Sequence, residues 1–135
     1  ARTRFADANL FDRANICSGD LWRDPLQRDA DAMSLVRVLH DHDDDRVAAL
    51  LRGIFEALPL NGTLVIAEPM VAGADTQRMG HAYFGFYLLA MGSGRARTVD
   101  EYFGMLRAAG FYPVSHVPTR RPLLCSVVTA CKTTP

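Results

Sequence analysis

The residues best suited to chemistry are concentrated between Ser34 and Leu51, in "SLVRVLHDHDDDRVAALL". There His40 and His42 stand among Asp41, Asp43, Asp44 and Asp45. Histidine titrates near neutral pH, so His40, where an apolar run stops, is a candidate general base. Such a base works best with a carboxylate on one ring nitrogen, which fixes the tautomer and stabilises the imidazolium formed on proton capture. Glu68 closes a second apolar run, "TLVIAE", and is placed to be that carboxylate, with Asp41 adjacent to the histidine. The plain alternative is a polar histidine at a strand terminus. His42 and the aspartates after it have the composition of a metal site. They also have the composition of a helix start, where acids cap the first turn and complement the helix dipole. Capping explains the run without a metal.

Other positions offer weaker chemistry. Asp20, after Gly19, could accept hydrogen bonds from a nucleotide-like ligand, with Leu21 or Trp22 against a flat ring; an ordinary Gly-Asp turn is the alternative. Gly92-Ser93-Gly94 with Arg95 and Arg97 has the look of a phosphate loop. It lies between two helical segments rather than after a strand, so it is not a nucleotide fingerprint. The segment "HAYFGFYLLAM" carries Tyr83, Phe84, Phe86, Tyr87 and Met91. It suits a buried core, the wall of an apolar substrate pocket, or a dimer contact. His81 is as consistent with a surface as with a site, and His116 reads as structural.

These residues need elements to position them. Residues 1–10 suit the end of a helix. Ile16-Cys17 reads as a short strand ending at Gly19, and "LWRDPLQRDAD" as a loop interrupted by Pro25. "AMSLVRVL" is a nearly continuous apolar run, suited to a strand buried on both faces of a parallel sheet. From Asp44 the period changes: Val47, Leu50, Leu51, Ile54 and Leu58 fall on one face of a helix, which Pro59 and Asn61-Gly62 end. "TLVIAE" is a second buried strand. A helix is expected from Arg78 to Met91. Thr98 and Glu101 form a capping box for another, ended by Gly110. "FYPVSHV" and "LLCSVVTAC" close the chain as two strands. Alternating strands and helices imply an α/β fold, a mostly parallel sheet with a closing antiparallel hairpin. Ligands then sit beyond the strand ends, where Asp20, His40 and Glu68 would all point the same way.

The bulk properties narrow the function classes. The chain has 135 residues, is 49% hydrophobic and 22% charged, and carries no net charge. That is one domain with a real core, and a poor match to a nucleic-acid partner. Three cysteines without a CxxC pair favour reduced thiols in a cytoplasmic protein. No apolar stretch is long enough to span a bilayer. The opening "ARTRFADANLF", without an initiator Met, reads as part of a longer protein.

Several of these motifs, in this order, resemble the class I S-adenosylmethionine-dependent O-methyltransferases of the plant caffeate and bacterial small-molecule type. "GDLW" is similar to that family's adenine-holding loop, "VRVLHDHDD" to its His-Asp catalytic motif, and "GTLVIAEP" to its strand ending in Glu. "GSGRARTVDEY…LRAAGF" resembles its Arg-Thr segment. The likeness covers almost the entire chain. It narrows, on "SLVRVLHDHDD", "AEPM" and "YFGFYLLAMGSGR", to members acting in the carotenoid pathway of phototrophic bacteria.

The resemblance implies a Rossmann-like sheet with S-adenosyl-L-methionine as cofactor. It makes His40 the base, with Glu68 and Asp41 beside it. Asp20, Leu21 and Arg37 would lie on the cofactor side, and Tyr83, Phe84, Tyr87 and Met91 would line the pocket, with no metal. The acceptor would be a hydroxylated carotenoid of the hydroxyneurosporene type, or else a phenol or polyketide. The full-length protein would be a cytoplasmic homodimer, with peripheral membrane contact for a carotenoid substrate.

Two positions depart from the family pattern. Ala96 stands where a second glutamate is usual, and Val36 where plant members carry Lys, with Arg37 one later. The family's glycine-rich cofactor loop and N-terminal dimerisation helices are not in these 135 residues, so the expectation is a partial catalytic domain over residues 1–135, inactive alone. A self-associating assembly module and a metal enzyme using His40 and His42 are the competing readings.

Overall fold

The computed structural model describes residues 2–71, 92–120 and 124–134. Its elements run α1 (Arg2–Asp7), β1 (Ala32–Val36), α2 (Asp44–Ala57), β2 (Thr63–Glu68), α3 (Val99–Ala108), β3 (Val114–Val117) and β4 (Ser126–Cys131), with 3-10 turns at Phe11–Arg13 and Leu39–Asp41. The fold is α/β, and the described residues form four strands in the order β1-β2-β4-β3. β1 and β2 are parallel, joined by α2, and pair from Ala32 opposite Thr63 to Val36 opposite Ala67. β4 lies antiparallel to both β2 and β3. The closing hairpin is therefore present, but its second strand is internal and β3 takes the edge.

Period-two burial decides the faces. Leu64, Ile66 and Glu68 of β2 are buried, as are Ser126, Val128 and Ala130 of β4. On that face Val47, Leu50, Leu51 and Ile54 of α2 join Tyr102, Leu106 and Phe111 in one core cluster with Leu35, Leu64, Ile66 and Val128. Each such side chain stabilises the fold by roughly 1.5–3 kcal/mol through burial. α3 starts at the expected capping box, Thr98 with Glu101, and Gly110 follows it with φ +104. A Cβ at Gly110 would also lie 2.9 Å from the Phe55 ring, so only glycine turns the chain there.

Three expectations fail. Ile16 and Cys17 form no strand; Cys17 is exposed, and two apolar residues between polar neighbours have no sheet edge to join. Asp20 thus follows a loop, not a strand. β1 is not buried on both faces: Ala32, Ser34 and Val36 are exposed, because β1 is the edge of the described sheet and, among the described residues, the core cluster takes Leu35 from its other face. β1 also ends at Val36, four residues before His40. Arg37 adopts a left-handed φ of 55°, which breaks the extended chain. The expected helix over residues 78–91 lies outside the described residues, and with it Tyr83, Phe84, Tyr87, Met91 and His81. His116 is exposed on β3. Among the described residues no helix is long and apolar enough to cross a membrane.

Candidate active site

The site forms where the chain leaves β1. Glu68, the last residue of β2, is fully buried and holds that exit. Its Oε1 accepts hydrogen bonds from the backbone N–H of Val38 at 2.8 Å and of Leu39 at 2.7 Å. Its Oε2 lies 2.6 Å from His40 Nδ1. One carboxylate thus fixes both the turn and the ring it carries. With Nδ1–H donated to Glu68, Nε2 is left as the basic atom. His40 is 2% exposed, and its Nε2 lies 3.3 Å from Asp41 Oδ1. That oxygen is buried and makes no hydrogen bond among the described residues, so it stands ready for an N–H once the imidazole gains its second proton.

A cation grips the same turn from the other side. Arg97 is fully buried. Its Nη1 donates to the Leu39 carbonyl at 2.8 Å and, more weakly, to Arg95 O at 3.4 Å. Its Nη2 donates to the His42 carbonyl and to Asp44 Oδ1, each at 2.7 Å, and Nε donates to Asp44 Oδ1 at 2.9 Å. All five N–H groups of the fork have an acceptor, which a buried guanidinium requires. The backbone of Arg97 is fixed too, because its carbonyl accepts from Val71 N–H at 3.1 Å.

Arg95 completes the network, bridging Asp44 at 2.9 Å and Glu101 at 2.7 Å. The Arg95 hydrogen bond, then Arg97, hold the Asp44 carboxyl below its ordinary range despite some burial. Burial pushes Glu101 up, but the Thr98 backbone N–H and Arg95 outweigh it and the net is a lowered value. Burial and the nearby Glu68 charge push the Tyr102 hydroxyl up, keeping it neutral.

The acidic run therefore does more than start a helix. Asp43 is the N-cap of α2 by position, yet its side chain makes no capping bond; its Oδ1 accepts from Gly94 N–H at 3.2 Å. Gly94 has φ +89, and a Cβ there would collide with the His40 carbonyl oxygen and the Asp41 backbone. His42 packs edge-on against Trp22, ring centres 4.7 Å apart, with Arg46 over the same indole. Among the described residues no three His, Cys, Asp or Glu side chains converge as a metal site would need.

The structure brings His40, Glu68 and Asp41 together. Asp20 and Leu21 lie on a separate loop that reaches the turn through Trp22. Asp20 Oδ1 accepts from Trp22 N–H at 2.8 Å, while Leu21 is 37% exposed. Both line a shallow pocket of about 270 Å³ with Cys17, Gly19 and Asp24. Arg37 is exposed at the end of β1, its N–H bound to Ala67 O at 2.9 Å. Arg97 and Asp44 are the site residues that sequence reasoning missed. The available signal was charge balance: a dense acidic run needs a cation, and "RAR" before the capping box supplies two.

Over residues 1–112 the chain matches the O-methyltransferase domain family, and it belongs to that family. Its relatives include the demethylspheroidene O-methyltransferases of Cereibacter sphaeroides, 41% identical over 98% of this chain and 35% of the relative, and of Rhodobacter capsulatus, 43% identical over 87% and 30%. Human N-acetylserotonin methyltransferase, solved in complex with SAM, superposes with a TM-score of 0.74 at 26% identity, over 87% of this chain and 33% of that one. The chain spans about a third of the length of the curated relatives it matches.

Proposed function

We propose that this chain is the acceptor-activating part of an S-adenosylmethionine-dependent O-methyltransferase, with His40 as general base. The reading rests on one observation: a buried imidazole whose Nδ1 is 2.6 Å from a buried carboxylate that nothing exposes to water. That arrangement holds one tautomer and stabilises the imidazolium formed when Nε2 takes a proton from an acceptor hydroxyl. Asp41 Oδ1 receives the new N–H. Family membership and the named activity of the relatives agree with this assignment.

The loop residues fit the adenine end of the cofactor. The Asp20 carboxylate keeps acceptor capacity beyond its bond to Trp22 and its 3.5 Å ion pair with the exposed Arg23, and Leu21 offers an apolar face. Arg37 would stand beside the cofactor at the end of β1. When bound, S-adenosylmethionine supplies an electrophilic methyl group. Because the described residues hold only that end, we expect the isolated chain to bind it weakly; a calorimetric titration giving micromolar affinity would overturn this.

The acceptor in this reading is a hydroxylated carotenoid of the hydroxyneurosporene type, as the two bacterial relatives suggest. A tertiary alcohol is far less acidic than a phenol, so the base must act as the methyl arrives and positioning carries much of the rate. The same reading makes the full-length protein a cytoplasmic homodimer that meets its polyene acceptor at a membrane surface, with Tyr83, Phe84, Tyr87 and Met91 lining the acceptor pocket. The test is His40→Gln in the full-length protein, assayed for methyl transfer to such an alcohol. Turnover should fall by about 10²–10⁴-fold; a loss of less than threefold would remove His40 from the role.

The exposed edge of β1, with Val36 59% exposed, favours a second reading in which this chain alone self-associates. Light scattering separates them, a monodisperse monomer counting against it.

A further inference from the structure

We infer that Arg97 is a positioning residue of the site, a buried cation that sets the aim of His40 by holding backbone rather than side chains. The inference deepens the general-base reading and rests on it. His40 and Asp41 sit between two carbonyls, those of Leu39 and His42, and Arg97 binds both, at 2.8 and 2.7 Å. At the other end of the same turn, Glu68 binds the N–H groups of Val38 and Leu39 at 2.8 and 2.7 Å. The turn closes two bonds of its own, Asp41 N–H to Val38 O at 3.4 Å and His42 N–H to Leu39 O at 3.2 Å, which leaves its first N–H groups and its last carbonyl to other partners. An anion takes those first donors, and a cation takes the His42 carbonyl and the remaining lone pair of the Leu39 carbonyl. The ring is fixed at Nδ1 by Glu68, and the backbone beneath it by Arg97.

A planar fork is needed for this. The Leu39 carbonyl, the His42 carbonyl and Asp44 Oδ1 are bound by three different nitrogens of the planar guanidinium, and lysine has a single nitrogen to offer. Asp44 orients the fork by taking Nε and Nη2 together. Arg95, partly exposed, pairs with Asp44 and Glu101 and touches no backbone of the His40 turn, so the role belongs to Arg97.

The test uses the full-length protein and two readouts. The first is the proton resonance of His40 Nδ1–H, which a short bond to a buried carboxylate shifts far downfield and protects from exchange; His40→Gln assigns it. The second is the split between kcat and KM for the acceptor. In Arg97→Lys, with its cooperative thermal transition retained, the resonance should broaden or vanish. kcat should drop at least about tenfold, with KM changed by less than about threefold, since a small misplacement of a reacting group costs rate before binding. Millimolar guanidinium should restore part of kcat in Arg97→Ala. A folded Arg97→Lys with the resonance intact and kcat within about twofold of the parent overturns the inference.

If the Arg97 variants fail to fold, Asp44→Asn decides, because that carboxylate is half exposed: an unchanged resonance and kcat overturn the inference, and loss of both supports it. The resonance reads the turn even if His40→Gln leaves turnover intact. Failure of the base assignment and failure of the Arg97 assignment are thus separable.

Discussion

Replacing Glu68 by Gln tests the centre of the reasoning with almost no change in shape. The carboxylate accepts three hydrogen bonds, at 2.8, 2.7 and 2.6 Å, from Val38 N–H, Leu39 N–H and His40 Nδ1–H. Glutamine keeps one acceptor oxygen. If that oxygen serves the two backbone donors, the amide NH₂ faces Nδ1. The ring must then accept at Nδ1 and carry its proton on Nε2, pointing at Asp41. The base atom is thereby blocked. Two charge-assisted bonds become neutral ones of about half the strength, and the third reverses direction. Relief from burying a charge offsets part of this, so a net destabilisation of about 1–3 kcal/mol follows. Turnover in the full-length protein should fall by about 10²–10⁴-fold, the scale of a wrong histidine tautomer. Denaturant titration gives the first quantity and steady-state kinetics the second. A folded Glu68→Gln variant with kcat within about fivefold of the parent would refute the tautomer lock and leave Glu68 a role in the turn alone.

Other outcomes follow from the surroundings of the turn. Gly94→Ala should destabilise by about 2 kcal/mol or more, since its Cβ meets backbone at Asp41 and its φ of +89 strains any side chain; calorimetric melting below that loss would show that the 93–95 segment yields. Asp44 and Glu101 have folded carboxyls lowered from 3.8 and 4.5, so the stability they contribute is complete above those values. It should be lost as pH falls through their lowered folded values. Melting temperatures between pH 3 and pH 6 should therefore decline toward acid more steeply for the parent than for Asp44→Asn, and parallel curves would contradict the Arg95–Asp44 pairing.

Much of the scaffold was legible in local pattern. The 3.6-residue period of α2, the apolar run of β2 and the capping box of α3 each rest on residues within one turn or one strand of each other. The pairing of His40 with Glu68 was legible for another reason: two apolar runs ending in titratable residues are natural neighbours in a parallel sheet. The failures have a common cause. Ile16-Cys17 has strand-forming types but no partner strand, and partners are a tertiary fact. Asp43 has the right type for a cap, yet the approach of Gly94, 51 positions away, claims its oxygen. Arg97 stood out in the sequence only within a segment that looks like a phosphate loop, because burial of a charge is set by acceptors from residues 39, 42 and 44, and most of those are backbone carbonyls that no side-chain pattern announces.

The strand order carries a consequence for synthesis. β4 comes after the other three strands in the chain, yet it occupies the inside of the sheet, between β2 and β3. As the chain leaves the ribosome, β1, α2 and β2 can assemble from local contacts, but β2 and β3 keep open hydrogen-bonding edges until residues 126–131 emerge. During that interval the nascent chain presents strand edges that can pair with another molecule. β4 is thus the strand that closes the facing edges of β2 and β3, and a nonsense codon shortly before residue 126 would leave both of those edges open to pairing with another chain.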